Sequence, residues 1–522
     1  MWRAIPEGFL PKFHYCMPDT VHIELQPLGE TFELERGTPL QDVLFAHGVE
    51  FPCGGRARCK GCRVRVARGA LPITPEQRGL LSEEELAAGW RLSCCCRAES
   101  DLTLELGQWE AAILADNSVF EFTPREGLGV AVDLGTTTLV AQLLDLRNAH
   151  VLAVRTALNH QASFGADVMS RVSYALQPEG LRRLSALVRN QIGKLITELL
   201  DAARPASERI TAVTVVGNTV MHHLFCGIDI EPLSRYPFEP ARDGLEVFRS
   251  TELGWNLAGD PPVRFLPCLG GFVGSDILAG ILAARLDSSD ALVGLVDLGT
   301  NGEIVIGNRA RLLCASTAAG PAFEGARISM GMRAATGAIS TVSVEAGALG
   351  CHVLGNVAPR GICGSGLVDA VAAALDLGMI QPSGRLRDGA NGALLLCEPV
   401  SLSQNDVREL QLAKGAIAAG IRLLLARCGA EAKDLTRLYL AGAFGNYINR
   451  ASARRIGLLD FSPEMVTPAG NTALLGAKLA LFNPRDEDFE YSALRRRVEH
   501  VTLNTDPHFQ EVFVEEMAFP AS

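Results

Sequence analysis

Two stretches of this chain repeat one order of residues. GVAVDLGTTTLVAQLLD (residues 129–145) and VGLVDLGTNGEIVIG (residues 293–307) each run apolar strand, Asp-Leu-Gly-Thr turn, polar residues, apolar strand. A duplicated strand, acidic turn, strand unit calls for two similar lobes facing each other. Gly135 and Gly299 let the backbone approach a ligand. Thr136 and Thr137 in one turn, and Thr300 and Asn301 in the other, join the turn N–H groups as candidates for binding phosphate oxygens. The carboxylates of Asp133 and Asp297 are suited to hydrated Mg2+. One such motif reads equally well as a tight hairpin, whereas the pair in one chain is far more specific. The sequence has no GxxxxGK[ST], which disfavours a P-loop enzyme.

A third element lies in LTRLYLAGAFGNYINRASARRIGLLD (residues 435–460). It reads as a strand over Leu438–Leu440, a small-residue turn Ala441–Gly445 and a helix from about Asn446. A turn of this kind, through Gly442, Ala443 and Gly445, can seat a nucleoside against backbone. Upstream, STAAGPAFEGARISMG (316–331) and RGICGSGLVDAVAAAL (360–375) are glycine-rich loops leading into helices, whose N-termini favour anions. Helix caps at sharp bends account for many such glycines on their own.

The cysteines divide by position. MWRAIPEGFLPKFHY lacks the basic-then-apolar order of a secretory leader, and no uncharged apolar run reaches the roughly 18 residues of a membrane span, so a cytoplasmic location is expected. In a reducing compartment 14 cysteines are not a disulfide framework, and closely spaced ones argue for a metal site. Cys53, Cys59 and Cys62 in FPCGGRARCKGCRVRV have ligand-like spacing, with Gly54, Gly55 and Gly61 freeing the backbone to wrap a 2Fe-2S cluster. RLSCCCRA lies where a fourth thiolate should return. If that segment is extended, Cys94 and Cys96 share a face that Cys95 does not.

The flanks fit this reading. VHIELQ and TFELE alternate about a PLGE turn, which predicts a hairpin. Thr38 then caps a helix with Pro39 in its first turn, Leu40, Val43 and Leu44 form its stripe, and Gly48 ends it. Hairpin, helix and cysteine loop are the order of a β-grasp ferredoxin. The gaps of five and two residues between the cysteines resemble the adrenodoxin-like variant. A structural zinc site more often uses two Cys-x-x-Cys pairs, and only one is present here.

With 522 residues, of which 48% are hydrophobic and 20% charged, the chain is too long for one core and well suited to several. The expected layout is an N-terminal tail (1–20), a ferredoxin-like domain (21–107), a linker (108–127), two lobes (128–290 and 291–482) and a C-terminal extension (483–522). A net charge of −11 disfavours nucleic acid as the partner.

Taken in order, the two hairpins and the nucleoside motif resemble the superfamily of acetate kinase, sugar kinases, heat-shock chaperones and actin. Joined to an N-terminal 2Fe-2S domain, the chain resembles the ATP-dependent reductive activators of corrinoid proteins. NHQASFGADVMSRVSYA (159–175), VVGNTVMHHLFCG (215–227), VDLGTNGEI, TAAGPAFEGARI, GICGSGLVDA and LAGAFGNY match that family, from about residue 21 onward. The resemblance implies an α+β β-grasp 2Fe-2S ferredoxin domain followed by a two-lobed α/β actin-like ATPase, a duplicated ribonuclease H-like fold. It implies that Cys53, Cys59, Cys62 and Cys94 hold the cluster, Cys94 being chosen over Cys96 because the family places this ligand directly after an Arg-Leu-small residue step. It further implies ATP and Mg2+ at the Asp133 and Asp297 hairpins, with Gly442, Ala443 and Gly445 at the adenosine beside Gly320 and Glu324. The expected activity passes one electron to Co(II) of a corrinoid protein serving a methyltransferase or O-demethylase system, restoring Co(I), with an upstream low-potential donor and no membrane or nucleic-acid partner.

Glu303 is a candidate for orienting an attacking water, although a Glu on a strand is more often exposed or ion-paired. His222 and His223 resemble a redox or metal pair, but two histidines in an apolar stretch more often pack or cap, and His47 reads as a helix-end residue. The rival readings are an ATP-gated electron carrier or docking switch without turnover, and a small-molecule kinase with an appended ferredoxin, for which a cluster serves no purpose.

Overall fold

The computed structural model describes residues 20–521, apart from 27–29, 47–56, 58–61, 107–121, 166, 204–208, 300, 326, 333, 335–336, 355–357, 388–391, 446 and 485–488. Cys53, Cys59, His47, Gly48, Thr300 and Asn446 therefore lie outside the described residues, as does most of the PLGE turn.

The first domain is built on β1 (Thr20–Gln26), β2 (Glu30–Glu35), β3 (Arg63–Arg68), β4 (Trp90–Leu92) and β5 (Leu102–Leu106), ordered β2-β1-β5-β3-β4. The predicted hairpin is β1–β2, antiparallel with Ile23 opposite Phe32, and Val21, Ile23 and Leu25 fill the core. α1 (Leu40–Ala46) packs Leu40 and Leu44 beneath this sheet. Thr38 does not cap it as expected. Thr38 and Pro39 pair instead with Arg97 and Ala98, and the Thr38 hydroxyl donates back to the Glu35 carbonyl at 2.6 Å.

The second sheet holds β6 (Leu128–Leu134), β7 (Thr138–Asp145), β8 (His150–Leu158), β9 (Ile210–Gly217), β10 (Glu246–Arg249) and β11 (Pro262–Phe265), ordered β8-β7-β6-β9-β11-β10. Its helices include α2 (Gly180–Ala203), α3 (Thr219–Cys226) and α4 (Ser275–Ala283). The third sheet holds β12 (Val293–Leu298), β13 (Gly302–Gly307), β14 (Leu312–Thr317), β15 (Arg437–Ala441), β16 (Val466–Gly470) and β17 (Val498–His500), ordered β16-β15-β12-β13-β14-β17. Its helices include α5 (Gly364–Asp376), α6 (Gln404–Arg427) and α7 (Thr472–Phe482).

The two sheets repeat one topology. In each, an antiparallel meander of three strands is followed by a helix of 24 residues, then by a strand parallel to the first and another parallel to that one. The central strands β6 and β12 are apolar almost throughout because both their faces are covered, which is the pattern of a buried parallel sheet. Residues after 497 contribute β17, whose strand pairs with β14, and the helix Phe509–Met517, which packs on α6.

Two local expectations are corrected. The turn after β15 is itself one helical turn, Gly442–Gly445, and the next helix spans Arg450–Arg455, capped by the Asn449 side chain. The loop after β14 enters only a 3-10 turn, Pro321–Glu324, whereas Gly364 does open a full helix, α5.

Candidate functional site

The cysteine-rich segment is not extended. Ser93–Cys95 form a 3-10 turn, so strict alternation of faces does not apply. The turn puts the Cys94 and Cys95 sulfurs 3.8 Å apart on a half-buried edge, and sends Cys96 into the core. There Cys96 Sγ donates to the Leu92 carbonyl at 3.3 Å and accepts from Gln77 Nε2 at 3.5 Å. Burial pushes its thiol up to about 12. Cys94 differs, because its thiol is pushed up first by the neighbouring Cys62 side chain, then by Cys95 and burial. Cys62 lies just before β3, and Ser93 ties the two segments together by donating from both N–H (3.0 Å) and Oγ (2.9 Å) to the Cys62 carbonyl. Crowded thiols hold their protons until a metal cation takes the thiolate, and Cys62, Cys94, Cys95 and Cys96 all lie close enough to raise one another, with Cys62 and Cys96 buried and Cys94 and Cys95 half-buried.

The candidate nucleotide site lies where the repeated units face each other. Asp133 and Asp297 stand at corresponding ends of β6 and β12. Glu303 lies directly opposite Asp297 in the β12–β13 pair, and so on the same face, where it accepts from Ser316 Oγ at 3.3 Å. Asp276, in the first turn of α4, completes a group of four carboxylates. Burial pushes Asp133 up to about 6, partly offset by a hydrogen bond from Asn471. Asp297 is pushed up to about 7 by burial and then by Asp133, and Asp276 up to about 7 by burial, Asp297 and Asp133. Glu303 is pushed well above the usual carboxylate range by burial, then by Asp276 and Asp297. Mutual repulsion in a sheltered cleft marks a site short of positive charge. Among the described residues no three His, Cys, Asp or Glu side chains converge closely enough to ligate an ion directly. Mg2+ suits such a cleft because it keeps several waters and takes ligands from phosphate.

The hairpins are fixed from behind. The Gly135 N–H donates to the Thr138 carbonyl at 3.1 Å, and Asn159 clamps the turn by donating from Nδ2 to the Gly135 carbonyl (3.0 Å) and from its N–H to the Thr137 carbonyl (2.8 Å). Asn218, the cap of α3, holds Thr136 Oγ1 at 2.9 Å. In the other lobe the Gly299 N–H donates to the Asn301 carbonyl at 3.0 Å. Gly442, at φ +84°, closes on this turn so tightly that a Cβ there would lie 2.6 Å from Asp297 Oδ1. That contact brings the predicted nucleoside turn to the second hairpin. Phe444 stacks on Phe323 with centroids 4.8 Å apart, which draws in the Gly320–Glu324 loop, and Gly364 at the head of α5 packs against the Phe323 carbonyl. Gly442, Ala443, Gly445, Gly320 and Glu324 thus belong to one neighbourhood.

His222 and His223 are fully buried in α3. His222 meets Phe265 edge-on at 4.9 Å, with burial pushing its ring down to about 3, and His223 Nδ1 lies 2.9 Å from the Thr219 carbonyl. The packing reading of this pair is the one the structure carries.

Asp276, Asn471 and the Phe323–Phe444 stack were missed from the sequence. Asn471 caps α7 and donates to Asp133 Oδ2 at 2.8 Å, across the two repeats. A signal existed, because GSDILAG (274–280) and GNTALLG (470–476) share their glycine spacing and a polar residue at the head of an apolar helix.

The chain matches the C-terminal domain of RACo, the ASKHA domain, over residues 291–522, the RACo middle region over 128–289, and a 2Fe-2S iron-sulfur cluster binding domain over 23–99. It is 36% identical over 436 residues to the corrinoid activation enzyme RamQ of Eubacterium limosum, covering 77% of this chain and 73% of that one. It is 28% identical over 425 residues to the Co(II) methylated amine-specific corrinoid protein reductase of Methanosarcina barkeri, covering 75% and 77%. The solved structure of a reductive activator for corrinoid, iron-sulfur protein superposes with a TM-score of 0.67 at 28% identity, covering 96% of this chain and 98% of the other.

Proposed function

The chain belongs to the family of ATP-dependent reductive activators of corrinoid proteins, and from that premise we propose that it returns the Co(II) of a partner corrinoid protein to Co(I) by one-electron transfer. Bound in place, the 2Fe-2S cluster supplies one electron near the roughly −400 mV of plant-type ferredoxins, and ATP supplies the free energy for an uphill delivery. Cys53, Cys59, Cys62 and Cys94 would hold the cluster, and Cys96 is fastened in the core. Asp133 and Asp297 would hold a hydrated Mg2+ through its waters, Thr136, Thr137, Thr300 and Asn301 would receive phosphate oxygens, and Glu303 with Asp276 would orient an attacking water. Gly442, Ala443 and Gly445 take the adenosine, with Gly320 and Glu324 across from them.

Closure of two lobes can commit the electron, because nucleotide in the cleft favours whichever partner state the closed form binds better. A coupling of about 1.4 kcal/mol moves a one-electron step by roughly 60 mV, so the few kcal/mol typical of coupled sites is the right order for this task. The corrinoid protein belongs to a methyltransferase or O-demethylase system, and a low-potential donor recharges the cluster.

The observation that supports this reading most directly is the meeting of Asp133, Asp276, Asp297 and Glu303 from both repeats in one cation-hungry cleft, in a chain that also carries the Cys62–Cys94 thiol edge. The test is to mix dithionite-reduced protein with candidate corrinoid proteins anaerobically and follow cobalt absorption. Co(I) should accumulate only with Mg-ATP present. Equal reduction without ATP, or ATP consumed into a stable phosphorylated small molecule, would overturn the proposal.

A further inference from the structure

The helix α7 has one end at Asp133 in the candidate nucleotide site and the other at Phe122 and Arg125, at the start of the first lobe. At its head, Asn471 accepts the Leu474 N–H (2.8 Å) through Oδ1 while donating to Asp133 (2.8 Å) through Nδ2. At its foot, the Leu481 carbonyl accepts from Arg125 Nη1 at 2.6 Å, and the Phe482 ring lies 4.9 Å from Phe122, tilted by 58°. Phe122 and Arg125 stand just after residues 107–121, the stretch that joins the two domains, and just before β6. An 11-residue helix is about 16 Å long, so the two ends report to sites well beyond contact range of each other.

Both fastenings have a physical reason. The last carbonyls of a helix lack partners within it and carry partial negative charge, so the Arg125 guanidinium is drawn to the foot. Phe482 is 2% exposed, and Phe122 covers it. Arg125 is also tied to the first lobe, since its N–H donates to the Leu146 carbonyl at 2.9 Å. Between head and foot, α7 crosses α4 at Gly476, which abuts the Ala279 backbone, and at Gly280, where a Cβ would lie 3.1 Å from Thr472 Oγ1. Helices that meet backbone to backbone have few interlocking side chains to resist small shear.

We infer that α7 transmits nucleotide occupancy from Asn471 to Phe122 and Arg125, the positioning residues that receive the movement where the sequence enters the first lobe from the ferredoxin domain. The inference rests on the proposed nucleotide site and adds the route by which that site reaches the segment of sequence leading to the electron donor.

The test uses the full-length holoprotein and the double variant Phe122→Ala/Arg125→Ala, with Arg125→Lys as the conservative control that keeps a cation at the helix foot. Calorimetry gives Mg-ATP-analogue affinity, and hydrogen exchange without any corrinoid protein reports on the amides of residues 122–128. In the wild type, saturating analogue should change exchange there by threefold or more. In the double variant that response should vanish while affinity stays within twofold and iron content is unchanged, and ATP stimulation of corrinoid reduction should fall at least tenfold. Arg125→Lys should recover most of both. Wild-type exchange at 122–128 that ignores bound analogue, or a double variant that keeps full ATP stimulation, would overturn the inference alone. Loss of analogue affinity in the double variant would also overturn it, by showing a role in binding. Failure of the wild type to bind analogue would overturn the nucleotide reading with it, whereas a wild-type exchange response without corrinoid reduction would count against the activity and leave the transmission standing.

Discussion

Asn471 Nδ2 lies 2.8 Å from Asp133 Oδ2, so the residue that caps a helix of the second repeat holds the first carboxylate of the first repeat. One amide thereby does two jobs, one in folding and one at the cleft.

Substitutions at Asn471 should separate those jobs. Asn471→Ala removes the cap and the bond to Asp133, and loss of the cap alone costs about 1 kcal/mol. Asn471→Asp keeps a capping oxygen but sets a second carboxylate against Asp133. Thermal melts with and without Mg-ATP should show both variants losing most of the nucleotide-induced gain, with the ligand-free melting point lowered mainly in Asn471→Ala. An Asn471→Asp protein with normal nucleotide affinity would sink the assignment.

The cleft also predicts a pH dependence. Asp133, Asp276 and Asp297 are raised to between about 6 and 7, so in the empty protein they keep protons that the unfolded chain releases near 4. Their contribution to stability is complete below that lower value and is lost as pH climbs through the folded values. Mg-nucleotide demands the ionised forms, so the stabilisation it confers should grow between pH 6 and pH 8. A gain independent of pH over that range would contradict the carboxylate roles.

Gly442→Ala should weaken nucleotide binding more than its size suggests. At φ +84° an added Cβ costs about 1–2 kcal/mol in backbone strain, and it would collide with Asp297 Oδ1 and the Leu298 carbonyl. Calorimetry should find affinity lowered by tenfold or more, with cluster absorption untouched.

Among the three adjacent cysteines, iron analysis and visible absorption of anaerobically prepared variants decide the ligand. Cys94→Ser and Cys59→Ser should lose the cluster, whereas Cys96→Ser should keep two irons per chain. Retention of iron in Cys94→Ser with loss in Cys96→Ser would reverse the choice. Cys96→Ser should instead cost stability on the order of 1 kcal/mol, since a hydroxyl replaces a buried thiol beside Gln77.

Much of this was legible because the chemistry sits in contiguous motifs. The alternation of Val21, Ile23 and Leu25 announced β1, and the doubled Asp-Leu-Gly-Thr announced both hairpins. What escaped depends on the backbone's path. Three adjacent cysteines read as an extended run until the chain is seen to coil at Ser93–Cys95, a choice set by the Cys62 carbonyl, 31 positions away, accepting from Ser93. Asp276 and Asn471 look like ordinary helix-start residues, and only the facing of two repeats turns them toward Asp133 and Asp297. Thr38 shows local propensity overruled, because pairing with Ala98 gave its backbone a better partner than a helix could.

The crossing of α4 and α7 through Gly280, Ala279 and Gly476 behaves as a bearing does in a machine. It joins two halves through bare backbone, with no interlocking side chains at Gly280 and Gly476. A single methyl group added at Gly476 would turn that joint into a weld, and the two halves would then move as one block or come apart altogether.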